Sequence, residues 1–204
     1  MTKPIIIAIC GKSATGKTSL AYQLEQALRL KGVSVCRIVS DTTRPPREGE
    51  EDGIDYNFIS EENFDRNLLN GKYLEWTRFR GWVYATNYDS LNINKDSINI
   101  GIFNAKGISS LVKYRRKFVI IPVYLKEALG IRLRRSYKRE HKWRLEYFRR
   151  AFFDWRDFRH INDTLKLFKY YLVFPFKESI IEKVDDIIFW LKYNHLFPGQ
   201  KSII

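Results

Sequence analysis

The sequence predicts an α/β fold: a parallel core sheet between two layers of helices, with a mostly antiparallel insertion and a helical excursion. Three observations lead there. Short apolar runs alternate with amphipathic stretches, the pattern of right-handed strand–helix–strand crossovers. Residues 41–86 interrupt that alternation with polar, turn-rich sequence and short runs such as "YNFI" and "KYLEWTRF". Residues 126–160 read as one long helical stretch.

Taken in order, "IIIAIC" at 5–10 has no polar position, so it reads as a parallel strand buried on both faces. A helix is expected over about 16–31, with Leu20, Leu24, Ala27 and Leu28 on one stripe and Gly32 as its stop. Residues 33–39 read as the second strand. Inside the insertion, "EENFDRNLL" at 61–69 reads as a short helix. The alternation resumes with strand 98–103, helix 105–115, strand 117–124, the helical stretch 126–160, strand 170–174 and helix 178–193. The tail 196–204 has no clear pattern. One domain is expected over 1–204: a core from 1–40, 87–125 and 161–195, an insertion at 41–86 and the helical excursion at 126–160.

Composition narrows the function classes. With 45% hydrophobic residues among 204, a core is available, yet no apolar run reaches the roughly 18 residues of a membrane span. The N-terminal apolar run is short and lacks a small-residue cleavage site, so it reads as a strand rather than a signal peptide, and a cytoplasmic protein is expected. Cys10 and Cys36 lie in apolar segments and are expected as buried small hydrophobes without a disulfide. His141, His160 and His195 have no metal-ligand spacing. The net charge of +13 favours phosphate-bearing partners, and it is concentrated: residues 132–159 hold eleven Lys/Arg against four Asp/Glu.

"GKSATGKT" at 11–18 fits G-x-x-x-x-G-K-[ST], between an apolar strand and an amphipathic helix. Gly11, Lys12, Ser13, Ala14, Thr15 and Gly16 turn backbone N–H groups around phosphates. Lys17 neutralises the β/γ-phosphates, and the Thr18 hydroxyl can ligate Mg²⁺. Ser19 follows in the first helical turn, whose N-terminus adds positive potential. ATP is the expected ligand.

Downstream, "SDTTRPPR" at 40–47 sets two arginines three apart around two prolines. The prolines stiffen the loop and the guanidinium forks suit an anion. In isolation, Arg44 and Arg47 are also surface ion-pair partners for Glu48, Glu50, Glu51 or Asp52.

The order of these segments resembles the guanylate kinase family. That family carries S-x-T-T-R-x-P-R-x-x-E-x-x-G-x-D-Y-x-F, and this chain has "SDTTRPPREGEEDGIDYNF" at 40–58. A second block, F-[IL]-E-W-x-x-x-x-G-x-x-Y-G-[TS], is matched by "YLEWTRFRGWVYAT" at 73–86. The resemblance implies a P-loop three-layer α/β/α fold in which 41–86 is a nucleoside-monophosphate-binding subdomain and 126–160 a helical lid. It implies an ATP- and Mg²⁺-dependent kinase acting on GMP or dGMP, with small-molecule nucleotides as partners, no membrane, and a monomer or homodimer. By position, Ser40, Arg44, Arg47, Tyr56 and Tyr84 match residues that hold the acceptor phosphate. Glu75 matches the guanine reader, accepting from N1–H and the 2-amino group, and Thr86 matches the hydroxyl at O6.

The chain departs from the family in four places. Where the family has a strand ending D-x-D before a glycine, this chain reads "GIFNAKG", with Ile102 and Asn104 in place of the two aspartates. The first change bears on Mg²⁺ handling and the second on base selectivity, since Asn104 keeps an acceptor oxygen but gains donors. Ala14 and Ala85 stand where glycine is usual, and "YLVFPFK" offers no match to an adenine-side asparagine.

The family closes lid arginines over the transferring phosphoryl group, whose oxygens need cations. Here Arg132, Arg134 or Arg135 could be the first, with Arg135 selected, and Arg149 or Arg150 the second, with Arg149 selected. Each is equally readable as part of a solvated helix face. Tyr137, Trp143, Tyr147 and Trp155 interleave with the cations, a pattern that also stacks on nucleic-acid bases, although a nucleic-acid partner is not expected. Two alternatives stay open: a kinase for a different or broader set of monophosphates, and a catalytically weak binding module. The retained Gly16, Lys17 and Thr18 speak against the module.

Overall fold

The computed structural model describes residues 3–79, 81–94, 96–140, 145–175 and 179–198. The first unit is β1 (Ile5–Gly11), α1 (Lys17–Leu30) and β2 (Ser34–Arg37). An excursion follows: β3 (Asp41–Thr42), β4 (Asn57–Phe58), α2 (Glu61–Leu69), β5 (Tyr73–Phe79) and β6 (Trp82–Asn87). The core resumes with β7 (Ser97–Phe103), α3 (Ala105–Leu111) and β8 (Val119–Leu125). Then come α4 (Leu129–Glu140), α5 (Leu145–Asp157), α6 (Ile161–Leu165), β9 (Leu172–Phe174) and α7 (Ile180–Tyr193).

The core sheet is parallel, in the order β2-β7-β1-β8-β9. β1 is central, so both its faces are covered, which is why it contains no polar residue. Ile5, Ile7 and Ile9 face α1 and α7 in one apolar layer. Ile6, Ala8 and Cys10 face α3, α6 and Phe158 in the other. These are the three layers the alternation predicts.

The second sheet runs β4-β3-β6-β5, antiparallel except where β3 meets β4. It has its own small core, in which Phe64 of α2 stacks on Tyr73 with ring centroids 5.4 Å apart. The mostly antiparallel insertion between two parallel strands is therefore present.

Local chemistry sets several element ends. After α1, the Gly32 N–H bonds the Arg29 carbonyl and the Val33 N–H bonds the Leu28 carbonyl, a Schellman motif. Gly32 sits at φ 75, a left-handed conformation that a side chain would strain. The Ser60 hydroxyl caps α2, and Ser179 with Glu182 forms a capping box on α7.

Some boundaries move. The 126–160 stretch is two helices, α4 and α5, and residues 141–144, with His141 and Trp143, lie outside the described residues. The side chains of Tyr147 and Arg150 also lie outside them. Beyond Asp157 the chain turns inward: Phe158 stacks on Tyr124 at 5.8 Å, and α6 buries Ile161 and Leu165. The spacing of Phe158, Ile161, Leu165 and Phe168 carries that signal. The expected helix 105–115 stays α-helical only to Leu111 and then tightens into a 3₁₀ turn, Val112–Tyr114. Cys10 is buried and free as expected, but Cys36 is only half-buried, because β2 is an edge strand.

Candidate active site

The phosphate loop joins the C-terminal end of β1 to α1, the position at which parallel α/β sheets hold ligands. Gly16, at φ 91, starts the helix and lets the loop close. Ala14 also takes a left-handed φ, 60, which costs a residue with a Cβ about 1–2 kcal/mol. Lys17 Nζ donates to the carbonyls of Gly11 and Lys12, both at 2.9 Å, holding the ammonium across the loop's mouth. Thr15 is tied inward through its hydroxyl to the Lys12 carbonyl.

Two bays open from this loop. One is lined by the loop from Ser13 through Ser19, including Thr18, together with Arg44, Arg47 and Arg135. The other runs under β6 and β7 and is lined by Ser40, Glu75, Asn104 and Asp154 among others. Ser13, Lys17, Tyr56, Phe79 and Tyr84 border both, so the bays form one cleft between the two sheets.

In the cationic bay, Arg44 is buried, with its guanidinium over the rings of Tyr56 and Phe58 at 5.4 and 5.7 Å. It donates to Glu50 at 2.8 Å and to the Pro45 carbonyl at 2.7 Å, while its Nε has no partner. Burial disfavours the Arg44 charge, but its interactions with Glu50 and Tyr84 together outweigh that and raise its pKa. Burial likewise opposes the Glu50 charge, yet the Arg47 N–H and the Arg44 guanidinium pull its pKa below the usual carboxylate range. Arg47 is half exposed, its Nη1 4.0 Å from Glu50. Both arginines line this bay and both lie beside Glu50.

In the second bay, Glu75 is 7% exposed. Its Oε1 accepts from the fully buried Thr86 hydroxyl at 2.7 Å, and its Oε2 has no partner. Burial, opposed by the Thr86 bond and the positive charge of Lys113, pushes the Glu75 pKa up to about 7. Asn104 sits at the start of α3, where its Oδ1 accepts the Gly107 N–H at 2.8 Å.

The lid helices contribute one residue that the sequence did not single out, Asp154. Asp154 of α5 accepts from the Ser13 N–H at 2.8 Å and the Ser13 hydroxyl at 3.2 Å. Arg132 of α4 pairs with Asp154 and donates to the Ser13 carbonyl at 2.8 Å. Both side chains are buried. Arg132 is thus committed to docking the lid, and burial lowers its pKa against the pull of Asp154. Among the described lid arginines, Arg135 reaches the cationic bay, held by Glu127 at 2.9 Å and near the Ala14 carbonyl at 3.4 Å. Arg149 is not brought to the cleft; it lies over Phe153, whose ring packs on Phe79, so it stands one ring behind the wall. Ile102 lines the cleft where a carboxylate was expected, and Asp154 and Asp157 face it from the lid side.

No cluster of three or more His, Cys, Asp or Glu suited to a metal occurs among the described residues. The Thr18 hydroxyl beside the cationic bay fits Mg²⁺ of the kind held mainly by substrate phosphates and water. No helix among the described residues is long and apolar enough to cross a membrane.

Fold and site define a phosphate-loop α/β protein with an inserted second sheet and a helical lid. The guanylate kinase family model matches residues 1–142, and the chain belongs to that family. It is 37% identical to guanylate kinase of Thermotoga maritima over 120 residues, 58% of this chain and 56% of that one. With guanylate kinase of Helicobacter hepaticus it shares 32% identity over 138 residues, 65% of this chain and 67% of that one. The match to guanylate kinase of Schizosaccharomyces pombe is 37% over 100 residues, 47% of either chain. The chain thus spans about half the length of the Thermotoga and Schizosaccharomyces proteins, and two thirds of the Helicobacter one. The crystal structure of guanylate kinase from Anaplasma phagocytophilum superposes with a TM-score of 0.66 at 21% identity, covering 99% of this chain and 89% of that one, which shows the shared fold.

Proposed function

We propose that this protein is an ATP-dependent nucleoside monophosphate kinase that transfers the γ-phosphoryl group of ATP to GMP or dGMP. The observation that carries this reading is the joined cleft: a phosphate loop and paired arginines in one bay, and a buried carboxylate with an unpartnered oxygen in the other. The names of the relatives support it.

In this reading the loop N–H groups and Lys17 hold the ATP phosphates. Lys17 leaves the loop carbonyls to meet the γ-phosphoryl as charge develops on its oxygens. Arg44 and Arg47, with Ser40, Tyr56 and Tyr84, hold the acceptor phosphate in line for attack. The Arg44 Nε has no hydrogen-bond partner of its own and would be a further donor for that phosphate. Arg135 supplies lid charge. Glu75 accepts from the purine N1–H and 2-amino group, donors that adenine lacks, with the Thr86 hydroxyl, the match to the family's O6 contact, bonded to its Oε1. When bound, Mg²⁺ would be held by Thr18 and phosphate oxygens and would neutralise phosphate charge.

A coupled ADP-release assay across ribo- and deoxynucleoside monophosphates tests the proposal. GMP and dGMP should turn over far faster than AMP, CMP or UMP. Absence of turnover with every guanine nucleotide, or a preference for AMP, would overturn it.

A further inference from the structure

Ser13 of the phosphate loop is gripped by the lid at all three of its polar groups. Its N–H donates to Asp154 Oδ2 at 2.8 Å and its hydroxyl to Asp154 Oδ1 at 3.2 Å. Its carbonyl accepts from Arg132 Nε at 2.8 Å. Asp154 and Arg132 are buried and paired with each other, so the grip is held away from bulk water.

The next residue is strained. Ala14 stands at φ 60, a left-handed backbone that a Cβ makes unfavourable. Its φ is set by how the rigid Ser13–Ala14 peptide plane lies against the Ala14 Cα. That plane carries the Ser13 carbonyl, which Arg132 holds. The following plane carries the Ala14 carbonyl, 3.4 Å from Arg135 Nη1. Beyond it Thr15 is buried and tied through its hydroxyl to the Lys12 carbonyl. An unfavourable backbone persists where its surroundings over-determine it, and here lid arginines bond both peptide planes that flank it.

We propose that Asp154 and Arg132 are positioning residues for the phosphate loop: the docked lid holds Ser13, and through it the left-handed turn at Ala14, in the shape that receives the triphosphate of ATP. This rests on the phosphate-loop reading made above. Released from the lid, the Ser13–Ala14 peptide turns and Ala14 relaxes toward negative φ. ATP then has to draw the turn back, and its affinity falls by the strain it restores. Neither Asp154 nor Arg132 touches the nucleotide in this effect. Glycine adopts positive φ without strain, so a loop with glycine at 14 no longer depends on the lid for its shape.

The test is calorimetric ATP binding, without acceptor, to four forms: native, Ala14→Gly, the lid-released pair Arg132→Met with Asp154→Ala, and all three substitutions together. Removing both charges avoids leaving one buried and unpaired. Release should weaken ATP binding by about tenfold or more, the strain of one left-handed residue. Ala14→Gly should improve ATP binding about tenfold more in the released protein than in the native one. Equal effects in both backgrounds overturn the proposal, because Arg132 would then act on ATP through its charge, which no change at residue 14 restores.

Urea unfolding of the same four forms reads the strain without ATP. The strain exists only while the lid imposes it, so the change in unfolding midpoint on Ala14→Gly should be more favourable in the native protein than in the released one. The extra unfolded-state entropy of glycine is common to both and cancels. Additive shifts overturn the proposal. If the shifts are coupled but the native protein binds no ATP, the phosphate-loop reading fails while the lid's hold on the loop stands. Should the released pair not fold, Arg132→Met with Asp154→Asn, which keeps the volume at 154, takes its place in both cycles.

Discussion

Asp154 and Ser13 meet across 141 residues of chain: the carboxylate on lid helix α5 accepts the backbone N–H of the phosphate loop at 2.8 Å. The same carboxylate is the ion-pair partner of the buried Arg132, so one side chain ties the lid to the loop that would hold ATP.

Breaking that tie should cost stability. Asp154→Asn leaves the Arg132 guanidinium buried without a counter-charge, and such losses run to about 3–5 kcal/mol. Urea unfolding should show a drop of that order. In a double-mutant cycle with Arg132→Met, the second substitution should cost much less in the absence of Asp154 than in its presence. Simple additivity of the two losses would contradict a coupled pair.

Glu75 makes stability depend on pH. Its folded pKa of about 7 lies above the ordinary 4.5, so the fold binds this proton more tightly than the unfolded chain does. Below pH 4.5 both states are protonated and there is no penalty. As pH rises toward 7 the folded state is progressively penalised, by roughly 3 kcal/mol at the upper limit. Glu75→Gln should match the native protein near pH 4.5 and exceed it in stability at pH 8. GMP binding at Oε2 favours the carboxylate, so calorimetry at pH 7 in buffers of different ionisation enthalpy should detect proton release. A buffer-independent heat would count against Glu75 as the base reader.

Arg44 and Arg47 should separate. Each alanine variant should weaken monophosphate binding by about 1.5–3 kcal/mol, the range for charge-assisted hydrogen bonds, with little change for ATP. Arg44 is also buried over Tyr56 and paired with Glu50, so Arg44→Ala should lower the melting temperature. Arg47 is half exposed, so Arg47→Ala should leave the melting temperature nearly unchanged. Equal losses for ATP and GMP would move this loop from the acceptor side to the donor side.

Lys17→Ala should abolish phosphoryl transfer while thermal unfolding stays cooperative. The ammonium donates to the Gly11 and Lys12 carbonyls of the loop. Near-normal turnover in the variant would refute the kinase assignment.

Much of the fold was legible because its causes are local. An unbroken apolar run such as "IIIAIC" requires cover on both faces, and β1 has it. The α1 stripe and its Gly32 stop follow from helical periodicity and from glycine's access to positive φ. The phosphate loop was legible for the same reason, since its spacing is a property of eight consecutive residues. The order of the two guanylate kinase blocks then pointed to the cleft residues Ser40, Arg44, Arg47, Tyr56, Glu75 and Tyr84, which the structure gathers.

The remainder was decided by contacts between distant segments. No local pattern distinguishes Arg132, Arg135 and Arg149, because all three sit in one basic helical stretch. Packing committed Arg132 to a buried carboxylate, brought Arg135 to the loop and left Arg149 behind Phe153. Asp154 looked like any solvated acid until the lid folded back onto Ser13. Asn104 could be recognised from sequence as a departure. Its orientation, oxygen to the Gly107 N–H, was set by the cap it makes on α3. The sequence by itself determined the elements and the loop chemistry, through periodicity and backbone preference that act within a few residues. Tertiary structure decided which charges are buried, paired or presented, because desolvation and hydrogen-bond partnership exist only once remote segments have met.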